Sequence, residues 1–244
     1  MQDLSTKPLV SYASRENICT MQPKKEKHYQ NVIDLINQQP EAERELGVGI
    51  AWAFYDDPKR LAFTFSRYKF ASKMIDGRNH VLEVGCGDGF ASRILRQAVP
   101  SYTGIDVDNT FIENANKRLS KKWNMTFAIH DLSLQGPVKG DFDCAVCLDV
   151  LEHIPFDMHK QFLNNLVDSL SQNAVAVIGC PSLESQEWAS DQSKLGHVAC
   201  MTQSDFRDTL LKKFKYVFVF SMNDEVVHTG YSKMSHYNIA ICGA

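Results

Sequence analysis

The stretch Val81-Leu82-Glu83-Val84-Gly85-Cys86-Gly87-Asp88-Gly89 sets a short apolar run directly against three glycines at alternate positions. A run of that length reads as a buried strand, and glycines at its end let the backbone take positive φ in a tight turn with no Cβ in the way. Ala91, Ile94, Leu95 and Ala98 follow at helical spacing. The local unit is therefore strand, glycine loop, helix, which puts the chain in the α/β class.

Working outward, acidic residues recur at the ends of the next apolar segments. Tyr102 to Ile105 reads as a second strand with Asp106 just past it. Its distance from the glycine loop is that of a ribose-binding carboxylate, about 20 residues. Met125 to Ile129 reads as a third strand ending at His130-Asp131, where a carboxylate can accept from an adenine amino group. Phe142 to Leu148 is a fourth, followed by Asp149-Val150-Leu151-Glu152-His153-Ile154. Any one of these aspartates alone reads as a turn residue. In order behind the glycine loop they mark the carboxyl ends of parallel strands, where open α/β sheets hold their ligands.

The glycine spacing is G-x-G-x-G, with Glu83 two positions before it, and differs from the G-x-G-x-x-G of dinucleotide enzymes. With Gly104-Ile105-Asp106, Asp131 and Asp149 to Ile154 in sequence, the chain from about Asp57 onward resembles the class I S-adenosylmethionine-dependent methyltransferases. The resemblance implies a Rossmann-like, seven-stranded, mostly parallel sheet with the final pair antiparallel and helices on both faces. It implies S-adenosyl-L-methionine as cofactor, held by Glu83, Gly85, Gly87, Gly89, Asp106, Val107, Asp131, Leu132 and Leu148.

An acceptor alcohol must also lose a proton, which a neutral histidine can take near neutral pH. His153, just after the fourth expected strand, and His197, in the long loop after the fifth, are the catalytic candidates. Glu152-His153 with the later His197 is also similar to the arrangement in metal-dependent small-RNA 2′-O-methyltransferases. That likeness implies a divalent metal on Glu152, His153 and His197, with Asp149 as an alternative carboxylate. The segments Arg67 to Phe70 and Asn223 to Gly230 are similar to bacterial methyltransferases of surface-carbohydrate pathways, which implies a sugar, sugar-linked or phosphorylated small-molecule acceptor. Tyr68, Trp52, Phe54, Trp188 and Tyr231 are candidate walls for its pocket. Two other functions stay open: metal-assisted methylation of RNA, and a cofactor-binding module without catalysis.

Composition narrows the field. A net charge of -3 and 23% charged residues give no electrostatic footprint for nucleic acid. No apolar run approaches a membrane span, and the N-terminus lacks the apolar core of a secretory signal, so a cytoplasmic protein is expected. Seven cysteines, an odd number lying mostly in expected strands, suit reduced thiols. Cys144-x-x-Cys147 has zinc-like spacing, but alternation along a strand sends the two side chains to opposite faces.

Residues 1–56 are expected to form an N-terminal arm and a lid-like helical extension, and 57–244 the cofactor-binding domain. Within the first part, residues 1–23 read as irregular, and Lys24 to Gln39 as an amphipathic helix ended before Pro40. Asp56-Asp57-Pro58 starts a helix reaching about Ile75. Later come a helix after Pro155, a strand at Ala174 to Gly179, a long loop from Cys180 to Cys200, a helix capped by Thr202, and strands at Lys215 to Ser221 and Tyr237 to Cys242. The polar segment Met222 to Gly230 reads as acceptor lining or a hairpin connection. The pattern leaves the oligomeric state open.

Overall fold

The computed structural model describes residues 27–41 and 45–243. The arm expected over residues 1–23 and the helix start at Lys24 lie outside them. The chain divides into two compact units, Met1–Pro40 and Glu41–Ala244. In the first, helix α1 (Lys27–Gln38) stops before Pro40, and Gln30 Nε2 donates to Asp34 Oδ1 one turn on at 2.9 Å.

The second unit is built on one eight-stranded sheet. Its strands are β1 (His80–Val84), β2 (Ser101–Asp106), β3 (Met125–Ile129), β4 (Phe142–Leu148), β5 (Leu170–Pro181), β6 (Tyr216–Asn223), β7 (Val226–His228) and β8 (Tyr237–Gly243). The order across the sheet is β3-β2-β1-β4-β5-β8-β6-β7. β3, β2, β1, β4 and β5 run parallel, while β8 is antiparallel to both β5 and β6. Between β1 and β4 the direction of winding reverses, and such a switch point opens a crevice at the strands' carboxyl ends.

The helices of this unit are α2 (Val48–Asp56), α3 (Lys59–Met74), α4 (Ser92–Ala98), α5 (Asn109–Lys117), α6 (His159–Asp168), α7 (Asp191–Gly196) and α8 (Gln203–Leu211). Strand alternation sorts the core into two layers. Val81, Tyr102, Cys144 and Val146 pack with Tyr68, Ala71, Leu95 and Ile112 from α3, α4 and α5. Leu82, Val84, Ala145 and Cys147 pack on the other face with Phe162, Leu166, Phe206 and Leu210 from α6 and α8. Helices thus cover both faces, and Cys144 and Cys147 point to opposite layers, as alternation requires.

The start of α3 follows its sequence signal. Asp57 Oδ1 accepts from Lys59 N at 3.1 Å, and Pro58 has the φ of -55° that its ring imposes. Thr202 likewise caps α8 by accepting from Asp205 N.

The sheet has one strand more than the seven expected. Asp224 takes a positive φ of 49°, so Asp224-Glu225 closes a two-residue turn and Asn223 pairs with Val226. The usual Asn-Gly or Asp-Gly signal of such a turn is missing from the sequence. The expected long loop also holds structure: a 3-10 turn at Glu184–Trp188 and helix α7, capped by Ser190 accepting from Ser193 N. Among the described residues no helix is long and apolar enough to cross a membrane.

Candidate active site

A cavity of about 710 Å³ opens at the winding reversal, over the carboxyl ends of β1, β2 and β4. Gly85, Gly87, Asp106, Val107, Asp131, Leu132, Leu148 and His153 all line it. Glu83, Gly89 and His197 do not. Of the five aromatic residues expected as walls, Tyr68 lines the cavity, whereas Trp52, Phe54, Trp188 and Tyr231 are exposed to solvent.

The floor is the glycine loop. Gly85 and Gly87 have φ of 77° and 53°, a region that side chains adopt only with strain. A Cβ at Gly85 would also lie 2.3 Å from Val150 Cγ2. Asp106 shapes the loop from the next strand: its Oδ2 accepts from Gly87 N at 2.8 Å and its Oδ1 from Asp108 N at 2.9 Å. Each oxygen keeps a further lone pair, so the carboxylate can still accept from a diol in the cavity. Asp131 is held through one oxygen instead, with Oδ1 accepting from both Ser133 N and Leu134 N.

Glu83 lies beneath this floor. It is 1% exposed and takes the O–H bonds of Tyr68 and Tyr102 on its two oxygens. Burial is the main cause that raises its carboxyl to about 7, against the lowering effect of the tyrosine hydrogen bonds. The folded state therefore holds a proton that the unfolded chain releases near 4.5. Stability contributed by this group is full below pH 4.5 and is lost as pH rises towards 7. From 1.36 kcal/mol per pKa unit the loss is about 3 kcal/mol. Urea melts from pH 4.5 to 8 should show this decline in the wild type and a much flatter profile in Glu83→Gln; equal slopes would contradict it.

Beyond β4 the chain turns through Asp149, which has a φ of 58° although it carries a side chain. Arg67 on α3 holds it there, with Nη1 at 2.9 Å from both carboxylate oxygens and the guanidinium 3.9 Å above the Tyr237 ring. A 3-10 turn, Leu151–His153, follows. It points Glu152 inward, where the side chain is 1% exposed and neither oxygen has a hydrogen-bond partner, His153 Nε2 standing 3.9 Å from Oε1. Burial, then the Asp149 charge, push its carboxyl well above the ordinary range.

His153 and His197 flank that carboxyl. The Nδ1 of His153 lies 2.9 Å from the Gly196 carbonyl, which can only accept, so Nδ1 carries the proton and Nε2 has a free lone pair. Nδ1 of His197 is 2.8 Å from Gln186 Oε1, leaving Nε2 available in the same way. The two rings meet edge to face at 5.3 Å. Burial, with His153 second, holds the His197 imidazole below its ordinary range and so neutral near pH 7. One ligand atom from each of Glu152, His153 and His197 lies within 4.8 Å of the others. The short 3-10 turn is what makes adjacent residues 152 and 153 converge.

Three residues that matter here escape a reading of the sequence. Asp88 lies within the glycine loop but has a carboxylate 5% exposed, ion-paired with buried Arg118 at 3.7 Å. Asn114 on α5 binds both Arg118 Nε and the backbone of α2. The available signal is Gly47-x-Gly49, two small residues where a helix begins without a capping side chain.

This sheet order, with the cavity at its switch point, is the fold of the class I S-adenosylmethionine-dependent methyltransferases. Residues 82–176 match the family described as a methyltransferase domain. The ubiquinone biosynthesis O-methyltransferase of Coxiella burnetii is 31% identical over 91 residues, 36% of this chain and 39% of that protein. The mitochondrial ubiquinone biosynthesis O-methyltransferase of Schizosaccharomyces pombe is 27% identical over 139 residues, 52% of this chain and 49% of that protein. The chain thus spans about half or less of the curated relatives it matches. Among solved structures, N-methyltransferase NodS of Bradyrhizobium japonicum bound to S-adenosyl-L-homocysteine superposes with a TM-score of 0.56 at 22% identity, covering 83% of this chain and 95% of NodS. A TehB-like S-adenosylmethionine-dependent methyltransferase of Corynebacterium glutamicum gives 0.56 at 18%, covering 88% and 97%. The methyltransferase domain of bacterial CtHen1 gives 0.60 at 16%, covering 73% and 98%.

Proposed function

We propose that this chain is an S-adenosylmethionine-dependent O-methyltransferase acting on a small polar acceptor. The observation that carries the reading is Asp106 at the rim of the cavity, with each carboxylate oxygen holding one backbone N–H and one lone pair left for a ribose hydroxyl. Val107, Leu132 and Leu148 give the cavity apolar surface for the adenosyl group, and Asp131 an acceptor for its amino group. α2 adds Gly49 and Ile50 to the wall, so this helix acts as a cover.

Bound S-adenosylmethionine supplies a methyl group on an already activated sulfonium. The protein then has two tasks, to align the acceptor oxygen and to remove its proton. Alignment alone supplies roughly 7 to 11 kcal/mol in favourable cases. Without a metal, Nε2 of His153 at the cavity is the group that takes the proton; with a metal on the triad that lone pair is committed to the ion, which would polarise the acceptor oxygen instead. The relatives named for ubiquinone biosynthesis are O-methyltransferases, which supports an oxygen acceptor. Of the two segments behind the sugar-linked expectation, Tyr68 lines the cavity, while Arg67 is engaged by Asp149 and residues 223–228 form the edge hairpin, and the relatives named for ubiquinone biosynthesis lend a sugar acceptor no support. We prefer an acceptor with two neighbouring oxygens.

The reason is the triad. Glu152 offers two buried, unpartnered oxygens beside two imidazole lone pairs, a donor set that suits a divalent transition metal. Glu152, His153 and His197 would hold it, and it would act as a Lewis acid that grips the acceptor. Calorimetry of the metal-stripped protein with zinc or manganese should show one site, lost in His197→Ala; no heat above that of the variant would remove the metal from the reading. The triad also suits metal-assisted methylation of RNA, which the net charge of -3 disfavours.

Transfer of labelled methyl to a catechol or diol panel, in parallel with RNA, tests the whole. Label on RNA alone would install the second function, and S-adenosylhomocysteine binding without any transfer would leave a cofactor-binding module. A cytoplasmic setting is part of the proposal, supported by the unpaired state of the six described cysteines.

A further inference from the structure

The N-terminus of α2 has no cap of its own. Its N-cap is Gly47, which has no side chain to bond the free N–H groups of the first turn, and the helix buries none of its nine residues. Those N–H groups are nonetheless satisfied from elsewhere. Gly49 N and Ile50 N both donate to Asp88 Oδ2, at 2.8 and 3.0 Å, across 39 and 38 residues. These are the two positions that an N-cap side chain would serve. Val48 N donates to Asn114 Oδ1 at 3.2 Å. The carboxylate fills the place of the missing side chain closely enough that a Cβ at Gly47 would lie 2.1 Å from Asp88 Cγ.

Behind it the arrangement is closed. Asp88 Oδ1 accepts from Phe90 N at 3.0 Å, and Arg118, 4% exposed, ties Asp88 to Asn114. Phe111 of α5 meets Gly49 from the cavity side, where a Cβ at Gly49 would lie 3.4 Å from its ring. Asp88 belongs to the glycine loop, and Gly49 and Ile50 belong to the wall facing it. With no buried side chain to anchor α2, these polar bonds decide whether that wall is present.

We propose that Asp88 is a latch: by capping α2 from within the glycine loop it holds the helix over the cofactor, and the cofactor's residence depends on that bond. The proposal rests on the cofactor reading above and makes Asp88 a positioning residue, since both its carboxylate oxygens are engaged by backbone N–H groups of α2 and Phe90. Two consequences separate a latch from mere support of the fold. Opening would be local, confined to α2. Gly47 and Asp88 would also act as one unit, so that damage to either exhausts the effect.

The test uses the full chain as wild type, Asp88→Ala, Gly47→Ala and the double variant. Hydrogen exchange should show the amides of Gly49 and Ile50 protected in the wild type and exchanging at least tenfold faster in both single variants, with β1 to β5 unchanged. Release of S-adenosylhomocysteine, followed by stopped flow, should be at least tenfold faster in either single variant and no faster in the double. Gly47→Ala adds one methyl group at the start of α2 and serves as the second route if Asp88→Ala folds poorly. Wild-type binding with variant release rates within twofold overturns the latch and leaves the cofactor reading intact. Fully additive effects, or loss of protection across the sheet, also overturn it. Failure of the wild type to bind overturns the cofactor reading, and with it the cofactor half of the latch.

Discussion

Asp106→Ala should weaken S-adenosylhomocysteine binding by about 3 kcal/mol, roughly 100-fold, with little change in the rest of the fold. The carboxylate has two duties, and the variant loses both. It accepts from Gly87 N and Asp108 N, which fixes the second glycine of the loop at its positive φ. Its remaining lone pairs are proposed to bind the ribose hydroxyls, and hydrogen bonds to charged groups contribute about 1.5 to 3 kcal/mol each. Asp106→Asn should be nearly as damaging, because both oxygens face backbone donors and an amide nitrogen in either place would meet another N–H. Calorimetry on the three proteins decides the matter. An alanine variant within threefold of wild type would mean that the ligand does not engage this carboxylate.

Glu152→Met should act in opposite directions on stability and on activity. The side chain is buried with neither oxygen hydrogen-bonded, a burden of about 1 to 3 kcal/mol that an apolar chain of similar length removes. Thermal melts without added metal should therefore move up by several degrees, at about 2 to 4 °C per kcal/mol for a domain of this size. Methyl transfer should fall at least 100-fold if this carboxylate holds the metal or the acceptor. The trade is expected of a functional group kept in a costly place. A variant that loses stability would show that Glu152 has a partner in solution, and one that keeps full turnover would take it out of the site.

Much of the fold was legible in the sequence, and for local reasons. The strand at 125–129 and the strand at 142–148 stand where apolar periodicity set them, and Asp57 and Thr202 cap their helices. Seven of the nine expected cofactor-site residues line the cavity, since a carboxyl end of a parallel strand is a position in the chain before it is a place in space. The other two show where that logic stops. Glu83 alternates correctly with Leu82 and Val84, yet alternation turns it under the loop into a pair of tyrosines. Gly89 is required by packing, where a Cβ would lie 2.5 Å from Phe127 Cζ. The eighth strand was hidden because Asp224-Glu225 makes a hairpin turn without glycine.

What the sequence determined by itself is the order of strands and glycine turns, and with it the end of the sheet where a ligand can sit. Backbone freedom and apolar period are properties of neighbouring residues, so they can be read from neighbours. Only the tertiary structure decided that Asp88 caps a helix 38 to 39 residues before it, and that Glu83 is sealed away from the cavity. Hydrogen bonds and burial depend on what lies within a few ångströms in space, and across such separations the chain carries no periodic trace of it.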